Sequence, residues 1–216
     1  RPLFLASKLI GMRGFIACSL PYALFLLPNA YAYGFQNKAA QLVSFAGKEA
    51  HFEHKVLLDK GNILSVGLKR YYRSIGFDIE NIRTHGPVPG LLMSSLPSDL
   101  QRVDSPKLRK ALFIQVALPL ILEVNQKILS DRSKIKSTFE EKSQGIILDT
   151  SKKKWLGTIQ RKYGLSDLGQ KYNAAFFDSM LKRVDIVPAS MALAQSAEES
   201  GWGTSRFAHE GNALFG

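Results

Sequence analysis

Cysteine is nearly missing from this 216-residue chain: the single Cys18 lies in an N-terminal apolar segment. A chain without that segment has no disulfide and no thiol nucleophile. Histidine is also scarce, with four in all. His51 and His54 flank Glu53 in "HFEH", but no third ligand stands at a supportive spacing and there is no H-E-x-x-H, so a solvated pair is expected and no metal. There is no glycine-rich phosphate loop and no nucleophile elbow, and no cofactor is expected. Apolar runs are short. Phe15 to Leu27 is interrupted by Pro21, and "ALFIQVALPLIL" carries Gln115 and Pro119; both fall below the roughly 20 residues that span a bilayer. No segment alternates strongly enough to announce a strand, which predicts an all-α fold, or α with a small sheet.

Apolar residues make up 45% of the chain, enough for one sizeable core or two small ones. Lys and Arg outnumber Asp and Glu by 29 to 18, and this positive field suits nucleic acid, anionic lipid or an acidic polymer alike. "MRGFIACSLPYALFLLPNAYA" narrows the choice: a basic start at Met12-Arg13, an apolar stretch and an Ala30-Tyr31-Ala32 cleavage pattern read as an export signal. The signal is expected over residues 1–32, either with Met12 as the true start and residues 1–11 an over-extended beginning, or with residues 1–11 as part of a longer basic leader. An uncleaved anchor is the alternative.

Residues 33–150 are expected to form a helical N-terminal region and a basic linker. Glycines punctuate short helices up to Gly86, and Gly86 to Asp99, rich in proline, reads as a connector. The clearest helix comes next, with Ser105 as cap, Pro106 in the first turn, and Leu108, Leu112, Val116, Ile121, Val124 and Ile128 at near-helical spacing. It is expected to be a buried, kinked core helix. From Ser130 to Lys154 the chain is polar and basic, ending in "SKKKW", and is expected to be a solvated linker or helix face because it lacks interleaved aromatics. Three further amphipathic stretches lie beyond it, in "WLGTIQRKYGL", "FFDSMLKRVDIV" and "PASMALAQSAEES".

The last of these ends in "AEESGWG". Pro188 suits the first turn of a helix, Ala189 to Ser200 its body, and Gly201 its left-handed end, which puts Glu199 in the last turn. Partial negative charge at a helix C-terminus pushes a carboxyl pKa upward, and shielding by Trp202, Phe207 or Phe215 would push the same way. A carboxylic acid still protonated near neutrality is what glycosidic cleavage requires. Glu198 and Glu199 point about 100° apart, so at most one shares a narrow face. Geometry leaves the two nearly tied.

"RVDIVPASMALAQSAEESGWGTSRFAHEGNALFG" resembles the opening of the glucosaminidase domain of Bax-like bacterial peptidoglycan hydrolases. The resemblance rests on A-Q-x-A-x-E-S-G-W-G-T-S at Ala194 to Ser205 and G-N-x-L-F-G at Gly211 to Gly216, and extends loosely back to Trp155. It implies a mainly α, lysozyme-like domain beginning near residue 151, incomplete at Gly216 and preceded by a helical region. It also implies that the glutamate before Ser-Gly-Trp-Gly, Glu199, is the catalytic acid, with Glu198 a neighbour that raises its pKa by repulsion. Trp202 and Phe215 stack on sugar or pack in the core; Ser205 and Asn212 bind sugar or tie down the loop. Ala213 stands where many relatives have a second asparagine.

The implied substrate is the glycan strand of peptidoglycan, cut after N-acetylglucosamine, in the periplasm or outside the cell. No nucleic-acid partner is expected, and membrane only transiently during export. The rival readings are a lytic transglycosylase, a wall-binding module without turnover, and a nucleic-acid binder supported by charge alone.

Overall fold

The computed structural model describes residues 56–58, 63–84 and 88–215, and its longest element is the helix that begins after Ser105. In chain order the elements are β1 (Val56–Leu58), α1 (Ser65–Ser74), α2 (Ile79–Arg83), β2 (Leu91–Met93), α3 (Pro106–Ser143), α4 (Thr150–Lys162), α5 (Ala174–Arg183), α6 (Ala189–Glu199) and α7 (Arg206–Glu210), with short 3-10 turns at Leu100–Arg102 and Ser166–Leu168. The fold is mainly α. The export segment, Cys18, His51 and His54 lie outside the described residues.

Side-chain caps set most of the helix starts. Ser105, Asp149, Asn173 and Ser205 each accept a backbone N–H three residues on, satisfying a donor that the first turn leaves free. α3 obeys the expected pattern, with Leu112, Phe113, Val116, Ala117, Ile121, Val124 and Ile128 all buried. By length and composition α3 is apolar enough to cross a membrane, but 61% of its most apolar window is buried inside the protein, the mark of a core helix. α3 also runs through to Ser143, so the first half of the basic stretch is helix face. Ile135 and Thr138 on that face are themselves buried.

One expectation needs correcting. The proline-rich connector contains a strand: β2 pairs in parallel with β1, Val56 opposite Leu91 and Leu58 opposite Met93. Leu91 and Met93 are buried while Leu92 between them is half-buried, a period of two too brief to register as alternation in the sequence.

α3 packs against α5 and α6, and a single buried cluster runs from Leu68 through Phe113, Ile121 and Phe177 to Ala192 and Phe215. Two polar side chains of α3 fix the turn that feeds α6. Asn125 donates to the Val187 carbonyl at 2.8 Å. Arg132 donates to the Val184 carbonyl at 2.8 Å and to that of Leu181, and pairs with Asp185 at 3.8 Å. The start of α6 is thus tied to the central helix at both core and backbone.

Candidate active site

Pro188 caps α6 in an extended conformation, φ −50° and ψ 130°, and the helix ends at Glu199, one residue from the expected bounds at each end. Ala192, Ser196 and Ala197 face the core at 0%, 0% and 3% exposure. Glu198 and Glu199 are both exposed. The exclusion of water expected around Glu199 is therefore absent among the described residues. What Glu199 has instead is an amide one turn back: Gln195 Nε2 donates to Glu199 Oε1 at 2.8 Å.

Beyond the helix the chain makes a left-handed excursion of three residues, Gly201, Trp202 and Gly203, at φ +58°, +58° and +76°. Trp202 N–H reaches the Ala197 carbonyl at 2.7 Å and Gly201 N–H that of Glu198 at 3.3 Å, the paired bonds that close a helix C-terminus. A left-handed conformation costs a residue with Cβ about 1–2 kcal/mol, and packing offsets it at Trp202. Its ring meets Phe113 edge-on with centroids 5.9 Å apart, and Lys110 Nζ sits 4.7 Å from the ring centre.

The other anticipated residues are spread along the chain after this loop. Ser205 is the cap of α7: its Oγ accepts Ala208 N–H at 3.2 Å, and its own N–H returns to the Ser200 carbonyl at 2.9 Å. Asn212, also left-handed at φ +47°, donates from Nδ2 to the Ser94 carbonyl at 2.6 Å, joining the motif to the segment after β2. Phe215 is buried at 2% exposure and belongs to the core cluster. Phe207, one of the aromatics expected to shield the acid, is 72% exposed.

Two residues that sequence reasoning passed over, Ser200 and Gly203, hold the tryptophan loop, and a third, Gly211, closes α7. Ser200 is buried, accepts Gly203 N–H at 2.9 Å and donates to the Ser196 carbonyl at 2.5 Å. Gly203 is left-handed and has no room for a side chain: a Cβ there would lie 2.7 Å from Leu96 Cδ1 and 3.0 Å from Phe113 Cδ2. At Gly211 a Cβ would lie 2.8 Å from the Phe207 carbonyl oxygen. The only prior hint was the motif itself, in which Ser, Gly and Gly carry no chemistry of their own. Among the described residues no group of three or more His, Cys, Asp or Glu is placed to hold a metal.

An exposed carboxylate thus stands at the end of α6 beside the hydrogen-bonded tryptophan loop. Residues 174–216 match the glucosaminidase family, described as mannosyl-glycoprotein endo-beta-N-acetylglucosaminidase. The chain is similar to Bax-like glucosaminidase-domain proteins. It is similar to Protein bax of Escherichia coli strain K12, 35% identical over 131 residues that cover 57% of this chain and 43% of that protein. The chain thus spans less than half the length of this curated relative. No solved structure matches. The glucosaminidase segment begins at Ala174, the first residue of α5, and takes in α6, the tryptophan loop and α7.

Proposed function

We propose that this chain is part of a peptidoglycan hydrolase that cuts the glycan strand after N-acetylglucosamine, with Glu199 as the general acid. The observation that carries the reading is Glu199 at the solvent-facing end of α6, inside the glucosaminidase segment, with one carboxylate oxygen held by Gln195. In the step assigned to it, Glu199 passes its proton to the glycosidic oxygen as the bond from that oxygen to the anomeric carbon breaks, and water supplies the new anomeric hydroxyl. This chain is assigned the acid alone of the two groups such a reaction uses. Trp202, half-exposed on its braced loop, offers a ring for a sugar face; Ser205 and Asn212 shape the chain that follows it, and Phe215 is buried in the core. The substrate lies outside the cytoplasm, and the proposal includes export with cleavage after Ala32.

In the whole protein, Glu199→Gln is expected to lower dye release from labelled sacculi by roughly 10²–10⁴, the scale of general acid catalysis, without moving the melting temperature. Glu198→Gln keeps substantial activity. Products bearing reducing N-acetylglucosamine ends support the reading. Anhydro-muramic ends would make the enzyme a lytic transglycosylase, and sacculus binding without turnover would make it a wall-binding module.

A further inference from the structure

We infer that Gln195 is a positioning residue for the acid: its side-chain amide holds Oε1 of Glu199 and so fixes where the carboxyl group stands. The inference rests on the reading of Glu199 as the general acid. Residues four apart on a helix stack on one face, and the distance of 2.8 Å from Nε2 to Oε1 is that of a well-made hydrogen bond. Gln195 is half-buried, next to the fully packed Ser196 and Ala192, whereas Glu199 is exposed at the end of a long side chain. The amide therefore transfers the rigidity of the packed helix to the tip of an exposed carboxylate.

The choice of an amide has a chemical reason. A lysine or arginine at this place would hold the carboxylate ionised, which defeats an acid. A neutral N–H donor is satisfied by either state: it binds a carboxylate oxygen when Glu199 is ionised and the C=O oxygen when it is protonated. Glu198 differs at this point. Ala194, four residues before it, has no hydrogen-bonding side chain, and Gln195, three before it, gives its amide to Glu199 instead.

The test compares two substrates in the full-length protein. Peptidoglycan needs its leaving sugar protonated, whereas a 2,4-dinitrophenyl glycoside of a wall-type oligosaccharide leaves without help. Gln195→Met keeps the length of the side chain and its helix preference but removes the amide. It is expected to lower kcat on soluble glycan strands about tenfold with KM unchanged, because misplacement of a reacting group costs rate and not binding. Its kcat/KM on the dinitrophenyl substrate, which reports cleavage of the first bond, is expected to stay within about twofold. Equal losses on both substrates with a lower melting temperature would show a structural role and overturn the inference, as would unchanged activity on both. Glu199→Gln, run alongside, separates the two claims: if it still degrades the wall, the acid itself has been misassigned, whatever Gln195→Met does.

Discussion

Gly203 N–H donates to Ser200 Oγ at 2.9 Å, and with the Ser205 N–H bond to the Ser200 carbonyl it joins the end of α6 to the far side of the tryptophan loop. Ser200 is buried and passes the interaction on to the Ser196 carbonyl, so the loop is clamped to the helix that carries Glu199.

Ser200→Ala is expected to destabilise the protein by about 1–3 kcal/mol, since it leaves a buried N–H with no acceptor. Thermal denaturation measures this directly. Activity at temperatures well below the transition is also expected to fall, because the loop carrying Trp202 loses its brace.

Gly203→Ala meets two penalties at once. The φ of +76° is strained for a residue with Cβ, and the added carbon falls 2.7 Å from Leu96 and 3.1 Å from Leu100. Together these amount to about 2–5 kcal/mol. Gly67, inside α1 with nothing within 4 Å of its would-be Cβ, supplies the contrast. Gly67→Ala is expected to stabilise by about 1 kcal/mol through helix propensity alone, and urea titrations of the two variants should shift in opposite directions.

Asn212→Gly tests whether this side chain serves fold or substrate. Glycine tolerates the left-handed backbone, so the change removes only the bond to the Ser94 carbonyl. A fall of about 1 kcal/mol in stability with kcat/KM intact is expected from a tie within the fold. A fall in kcat/KM at unchanged stability would instead make Asn212 a sugar contact.

Acid should loosen α1 from the rest of the molecule. Asp99 Oδ1 accepts both the N–H and the hydroxyl of Ser65 at 2.7 Å. Burial pushes the Asp99 carboxyl up, but these bonds and the charge of Arg102 outweigh it and hold the group below its ordinary value. A folded-state pKa that is depressed gives stability present above the unfolded value of about 3.9 and lost as pH falls through the folded one. The melting temperature of the native chain should therefore drop more steeply below about pH 4 than that of Asp99→Asn. Because Asp99 is partly solvated, the difference is expected to stay under about 1 kcal/mol.

What the sequence determined by itself was everything carried by neighbours along the chain. The caps at Ser105, the apolar period of α3, the start of α6 near Pro188 and the left-handed Gly201 need only a few adjacent residues to be recognised, because helix hydrogen bonds and caps close within one turn. The mainly α class comes from the same local signals. Tertiary structure decided the rest. β2 is three apolar residues that become a strand only because Val56–Leu58 lies beside them. Gly203 is obligatory because Leu96, Leu100 and Phe113 arrive from elsewhere in the chain, and Asn212 is engaged by a carbonyl 118 positions away. Pairings across such distances leave no period in the sequence, since nothing local repeats. The near tie between Glu198 and Glu199 lies between these cases: Gln195 stands three residues before one and four before the other, and which of them its amide meets depends on how the helix face is packed.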